Sequence, residues 1–80
     1  MPTYHWDFFG PEAKETAEHF RIHLDEFLVR EGLEGCETGT ASEQAGHHGA
    51  WCRAPESMEP VLVRSLRPQR KTQPEHPSER

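Results

Sequence analysis

No apolar run in the chain approaches the roughly 18 residues needed to cross a bilayer. The N-terminus also lacks a basic stretch followed by an apolar segment and a cleavage site. The expected setting is therefore cytoplasmic, with no membrane partner. Cysteine is scarce: Cys36 and Cys52 are too few for the disulfide framework of a small secreted domain, and an isolated pair of this kind reads as two reduced thiols. Equally absent are a glycine-rich phosphate loop, a G-x-S-x-G elbow and a Ser-His-Asp set at a recognisable spacing, so no catalytic residue is assigned. Basic charge is sparse over residues 1–59, where four Lys/Arg stand against twelve Asp/Glu, a net of −8. Such an acidic body repels phosphate backbones and argues against a dedicated nucleic-acid domain. Residues 60–80 reverse the sign, with five basic side chains, Arg64, Arg67, Arg70 and Lys71 among them, against two acidic ones.

Eighty residues suffice for one domain with a thin core, because a chain this short buries only about 60–65% of the surface its unfolded form exposes. The apolar fraction of 32% and the mean hydropathy of −0.93 are low. The apolar residues are nevertheless concentrated in Tyr4 to Phe9, Ala13 to Leu33, Ala50 to Ala54 and Val61 to Leu66, as a folded chain requires. From Pro68 onward, three prolines stand among Gln, Lys, Glu and Ser. The expected organisation is one domain over 1–67 and a disordered, basic, proline-rich tail over 68–80.

Along Thr3 to Phe9 the side chains alternate, Tyr4, Trp6 and Phe8 on one side and His5, Asp7 and Phe9 on the other, the two-residue period of a half-buried strand. Gly10-Pro11-Glu12 reads as a helix start and Gly32 as its stop. Between them Ala13, Ala17, Phe20, Leu24, Phe27 and Leu28 recur at steps of three and four and form one apolar stripe. The segment from Cys36 to Ala54 reads as a hairpin with its turn between Gln44 and Gly49. A turn centred near Gln44 sets Cys36 opposite Cys52, whereas one centred between His47 and His48 separates them. Residues 60–67 carry both a helical and an alternating pattern, and Pro60 favours a short helix. The resulting fold class is α+β, a β-α-β-β(-α) two-layer sandwich that resembles a ferredoxin-like layout truncated by its sixth element. A sheet so cut short leaves an edge open, and homodimerisation is one way to close it.

Five groups of residues invite a functional reading. His19 and His23 are one helical turn apart, with Glu15 and Glu26 on the same side, and could share a Zn or Ni ion, joined by His5. Phe20 stands where an HExxH motif would carry its glutamate. His47 and His48, with Cys36 and Cys52, make a second candidate donor set without the usual ligand spacings. Met1-Pro2-Thr3 leads into a strand and a helix, a start that resembles small tautomerases in that respect; a free amine at Pro2 would be their general base, with Arg21 and Arg53 as its counterparts. Asp7 with His5, or Asp25 with His23, forms a neighbouring acid-base pair. Tyr4, Trp6 and Phe8, joined by Trp51, are expected beneath the helix, which leaves His5 and Phe9, and on the helix back Ile22 and Val29, as the interaction surface. A non-catalytic interaction or regulatory module, with a protein partner or itself, is the function this pattern favours.

Overall fold

Alternation along the first segment produces strand β1, Thr3–Phe9, with Tyr4 and Trp6 buried and Phe9 exposed. In the computed structural model, which describes residues 1–73, it is followed by helix α1 (Ala13–Glu31), strands β2 (Glu37–Gln44) and β3 (His47–Arg53), helix α2 (Glu59–Leu66) and strand β4 (Arg70–Thr72). The four strands form one antiparallel sheet in the order β2-β3-β1-β4. Both helices pack against the same face of the sheet. The domain is thus a small α+β sandwich, and among the described residues no helix is long and apolar enough to cross a membrane.

Helix α1 begins later than Gly10-Pro11. Pro11 and Glu12 form a turn, the Ala13 N–H donates to the Gly10 carbonyl at 3.1 Å, and Gly10 adopts φ 108°, so the chain must turn before it can coil. At the other end Gly32 stops the helix as its sequence position implies. It takes φ 70°, its N–H reaches the Val29 carbonyl at 3.1 Å, and the Leu33 N–H reaches Leu28 at 2.9 Å, the paired bonds of a Schellman motif. Ala13, Ala17, Leu24, Phe27 and Leu28 are buried, and Phe20 packs on Trp6 and Phe8 with ring centroids 5.0 and 5.7 Å apart. The apolar stripe does face the sheet.

The hairpin turns at Ala45-Gly46, and an irregularity between Ser42 and Gln44 absorbs one residue. Cys52 consequently pairs with Thr38, and Cys36 lies one position before the ladder starts. Neither register considered for the two cysteines is the observed one. Residues 59–66 are helical, led in by a tight turn at Glu56–Met58, and Leu62 from α2 is fully buried with Tyr4, Trp6, Leu24, Phe27, Leu28, Cys52 and Ala54.

Strand β4 departs from the expected layout. It supplies the sixth element that the sequence pattern lacks and lies inside the stretch expected to be a disordered tail; residues 74–80 are outside the described residues. Its three residues are all exposed, so no apolar alternation announces it. Polar pairing holds it instead: Thr3, Tyr4 and His5 face Thr72, Lys71 and Arg70, and the Gln69 N–H donates to the His5 carbonyl at 2.8 Å. Lys71 also donates to Glu59 at 2.7 Å, and Glu59 accepts from the buried Tyr4 hydroxyl at 3.3 Å. The Trp6 indole N–H donates to the Leu66 carbonyl at 2.8 Å and ties the end of α2 to the core.

Candidate functional site

Strand pairing sorts every side chain of the sheet onto one of two faces. The helix side takes Tyr4, Trp6 and Phe8 from β1 with Cys52, Ala50 and His48 opposite them on β3. The other side takes Thr3, His5, Asp7 and Phe9, opposite Arg53, Trp51, Gly49 and His47, and no described helix covers it. Trp51 therefore does not join the core beneath the helix; it lies half-buried on the uncovered face, directly across from His5. The signal was present in β3, where Ala50, Cys52 and Ala54 alternate as the small buried set and leave Trp51 to the other side.

Trp51 owes its position to a glycine. A Cβ built at Gly39 on β2 would lie 2.6 Å from the indole Cζ2, so the ring occupies the space over a residue that has no side chain. The sheet face thus carries an aromatic plate at its centre. Asp7 lies beside it with a side chain only 10% exposed, and Arg70 grips it with both arms, Nε to Oδ2 at 2.9 Å and Nη2 to Oδ1 at 3.0 Å. His47 Nε2 contacts the same Oδ1 at 3.1 Å, and Phe9 stacks on the His47 ring at 4.4 Å while remaining 71% exposed. The Arg70 guanidinium, more than the His47 bond, holds the Asp7 carboxyl down at about pH 2 despite its burial. At the far end Arg53 pairs with Glu37, and His5 Nε2 meets the Thr72 hydroxyl at 2.9 Å.

The other candidates disperse. His19 and His23 are exposed on α1, where His23 approaches Glu26 at 3.5 Å, whereas His5 is on the opposite side of the sheet. Among the described residues no three His, Cys, Asp or Glu side chains converge as a metal site would need. Ile22 and Val29, 52% and 81% exposed, share the outer side of α1 and are separated from His5 and Phe9 by the thickness of the domain. His47 and His48 occupy opposite faces at the closed end of the hairpin, and the two cysteines are at its open end. Pro2 is buried and its carbonyl accepts from the Ala54 N–H at 3.2 Å, while Arg53 and Arg21 lie on opposite sides of the domain. Asp7 pairs with His47 and Arg70 in place of His5, and Asp25 with Thr38 and Arg21 in place of His23. Compared with known proteins, the chain matches no family model, no curated protein and no solved structure at a significant level.

Proposed function

We propose that the chain is a non-catalytic interaction module of ferredoxin-like layout which associates through its uncovered sheet face, and that the occupant of this face is a second copy of the chain. The six-element order and the strand order β2-β3-β1-β4 support the layout. The observation that carries the association is the balance of charge around Trp51. The chain is acidic overall, at −5, and two copies repel unless the shared patch is neutral. On this face Glu37 and Asp7 are each neutralised within the face, by Arg53 and Arg70. What remains outward is aromatic: Trp51 at the centre and the Phe9–His47 stack beside it, the composition of an interface core.

Sedimentation equilibrium from low to high micromolar concentration tests this. The expected mass rises to that of two chains, and Trp51→Ala weakens association by about 30-fold or more, as loss of a central anchor does. A single-chain mass throughout, or unaltered association by the Trp51→Ala variant, would refute the reading.

A further inference from the structure

A second feature lies on the helix side, at the open end of the hairpin, and is independent of the sheet face. Cys36 precedes β2, Met58 ends the turn that leads into α2, and Cys52 sits on β3. The Cys36 thiol contacts the Met58 thioether at 3.4 Å between sulfurs. Cys52 is fully buried opposite Thr38, two residues along from Cys36 on the same face, its thiol within hydrogen-bond reach of the Cys36 thiol, and both cysteines are free. Three segments distant in sequence thus bring three sulfurs together. Cys36 and Met58 pack at the core boundary against the buried Cys52, and Cys36 lines a hollow of about 480 Å³ bounded by Asp25, Leu28, Leu33 and Gly35. Of the three, Cys36 is the residue that an ion entering the hollow meets.

We infer that Cys36, Cys52 and Met58 form a binding site for a soft monovalent cation, copper(I). Thiolate and thioether together select this class, because the polarisable sulfur of methionine is a poor ligand for hard or borderline ions. With metal–sulfur bonds of about 2.3 Å, two sulfurs on one ion stand at most about 4.6 Å apart, and the observed 3.4 Å is within that span. A cysteine binds metal as the thiolate, so each thiol gives up its proton as it takes the ion. Binding is then an exchange: one copper(I) enters, two thiol protons leave, and the thioether adds its lone pair without a proton. No change of oxidation state is involved. Met58 also stands at the N-terminus of α2, whose positive end favours the thiolates that result.

The test uses the full chain, reduced and handled without oxygen, titrated with copper(I) against a chromophoric copper(I) chelator. One ion per chain is expected, with three sulfur neighbours in X-ray absorption and affinity that rises with pH. Cys36→Ser should weaken binding by at least about 100-fold and Met58→Leu by about tenfold or more, given that even the supporting partners of metal ligands cost 10–100-fold. Both positions are on the core boundary, and Leu replaces Met at nearly constant volume, so the variants should fold; their circular dichroism is recorded alongside. Equal affinity in the Met58→Leu variant, tighter binding of zinc(II) than of copper(I), or a Cys36–Cys52 disulfide that forms while copper(I) fails to bind would each overturn the assignment.

Discussion

Asp7 shows how one side chain can link three segments. Its carboxylate receives Arg70 from β4 and His47 from the turn end of β3, and its backbone N–H donates to the Gln69 side chain at 3.0 Å. Because its folded pKa, about 2, is below the ordinary carboxylate value of 3.8, its contribution to stability is present above about pH 4 and is lost as pH falls towards 2. Arg70 is 45% exposed, so solvent screens the pair, and the contribution is about 1–2 kcal/mol. Urea unfolding should accordingly find Asp7→Asn less stable than the wild type by that amount at neutral pH and nearly equal to it at about pH 2. A difference that stays constant across this range would show that the ion pair contributes nothing. Neither partner of Asp7 was apparent in the sequence, because Arg70 and His47 are 63 and 40 residues away along the chain.

At the scale of elements, periodicity identified every segment that buries an apolar face. Strand β1 and the stripe of α1 were legible because Tyr4, Trp6, Leu24, Phe27 and Leu28 must leave water together. Strand β4 was not, since Arg70, Lys71 and Thr72 bury nothing and are held by backbone pairing and by ionic contacts to Asp7 and Glu59. Its contribution can be measured. A chain ended after Arg67 loses the Gln69 to His5 bond, the β4 ladder and the ion pairs of Arg70 and Lys71, and its unfolding free energy should fall by about 1–3 kcal/mol. If that chain proves as stable as the whole, the strand is no structural element in solution. Trp51 went astray for a related reason: an aromatic residue in a strand signals burial, but which face it takes depends on its neighbours' parity, and here Gly39 made room for it on the open side.

For the whole molecule, the thin core sets the tolerance. At about 0.05–0.15 kcal/mol per residue, a domain of this length has roughly 4–12 kcal/mol of stability. Leu24, 1% exposed at the centre of α1's buried side, costs about 2–5 kcal/mol when cut to alanine. Leu24→Ala should therefore lower the calorimetric Tm by about 10 °C or more, whereas Ile22→Ala, on the outer side of the same helix, should change it little. A drop of only a few degrees for Leu24→Ala would mean that the helix is not packed on the sheet as described. The same economy explains the two faces of the sheet. The two helices cover one side, and Trp51, Phe9 and His47 remain on the other.

Local pattern alone determined the class of fold, the bounds of β1, the stop of α1 at Gly32 and the apolar stripe by which α1 enters the core, because these follow from period, glycine and the aversion of apolar side chains to water. Tertiary structure decided the partners. The hairpin register that brings Cys52 near Cys36, the approach of Met58, the capture of Asp7 by Arg70 and the side taken by Trp51 all depend on pairing across long stretches of chain. One residue of slip at the Ser42–Gln44 irregularity would have turned every later side chain of β3 to the other face, and no composition or spacing within a single segment records that choice.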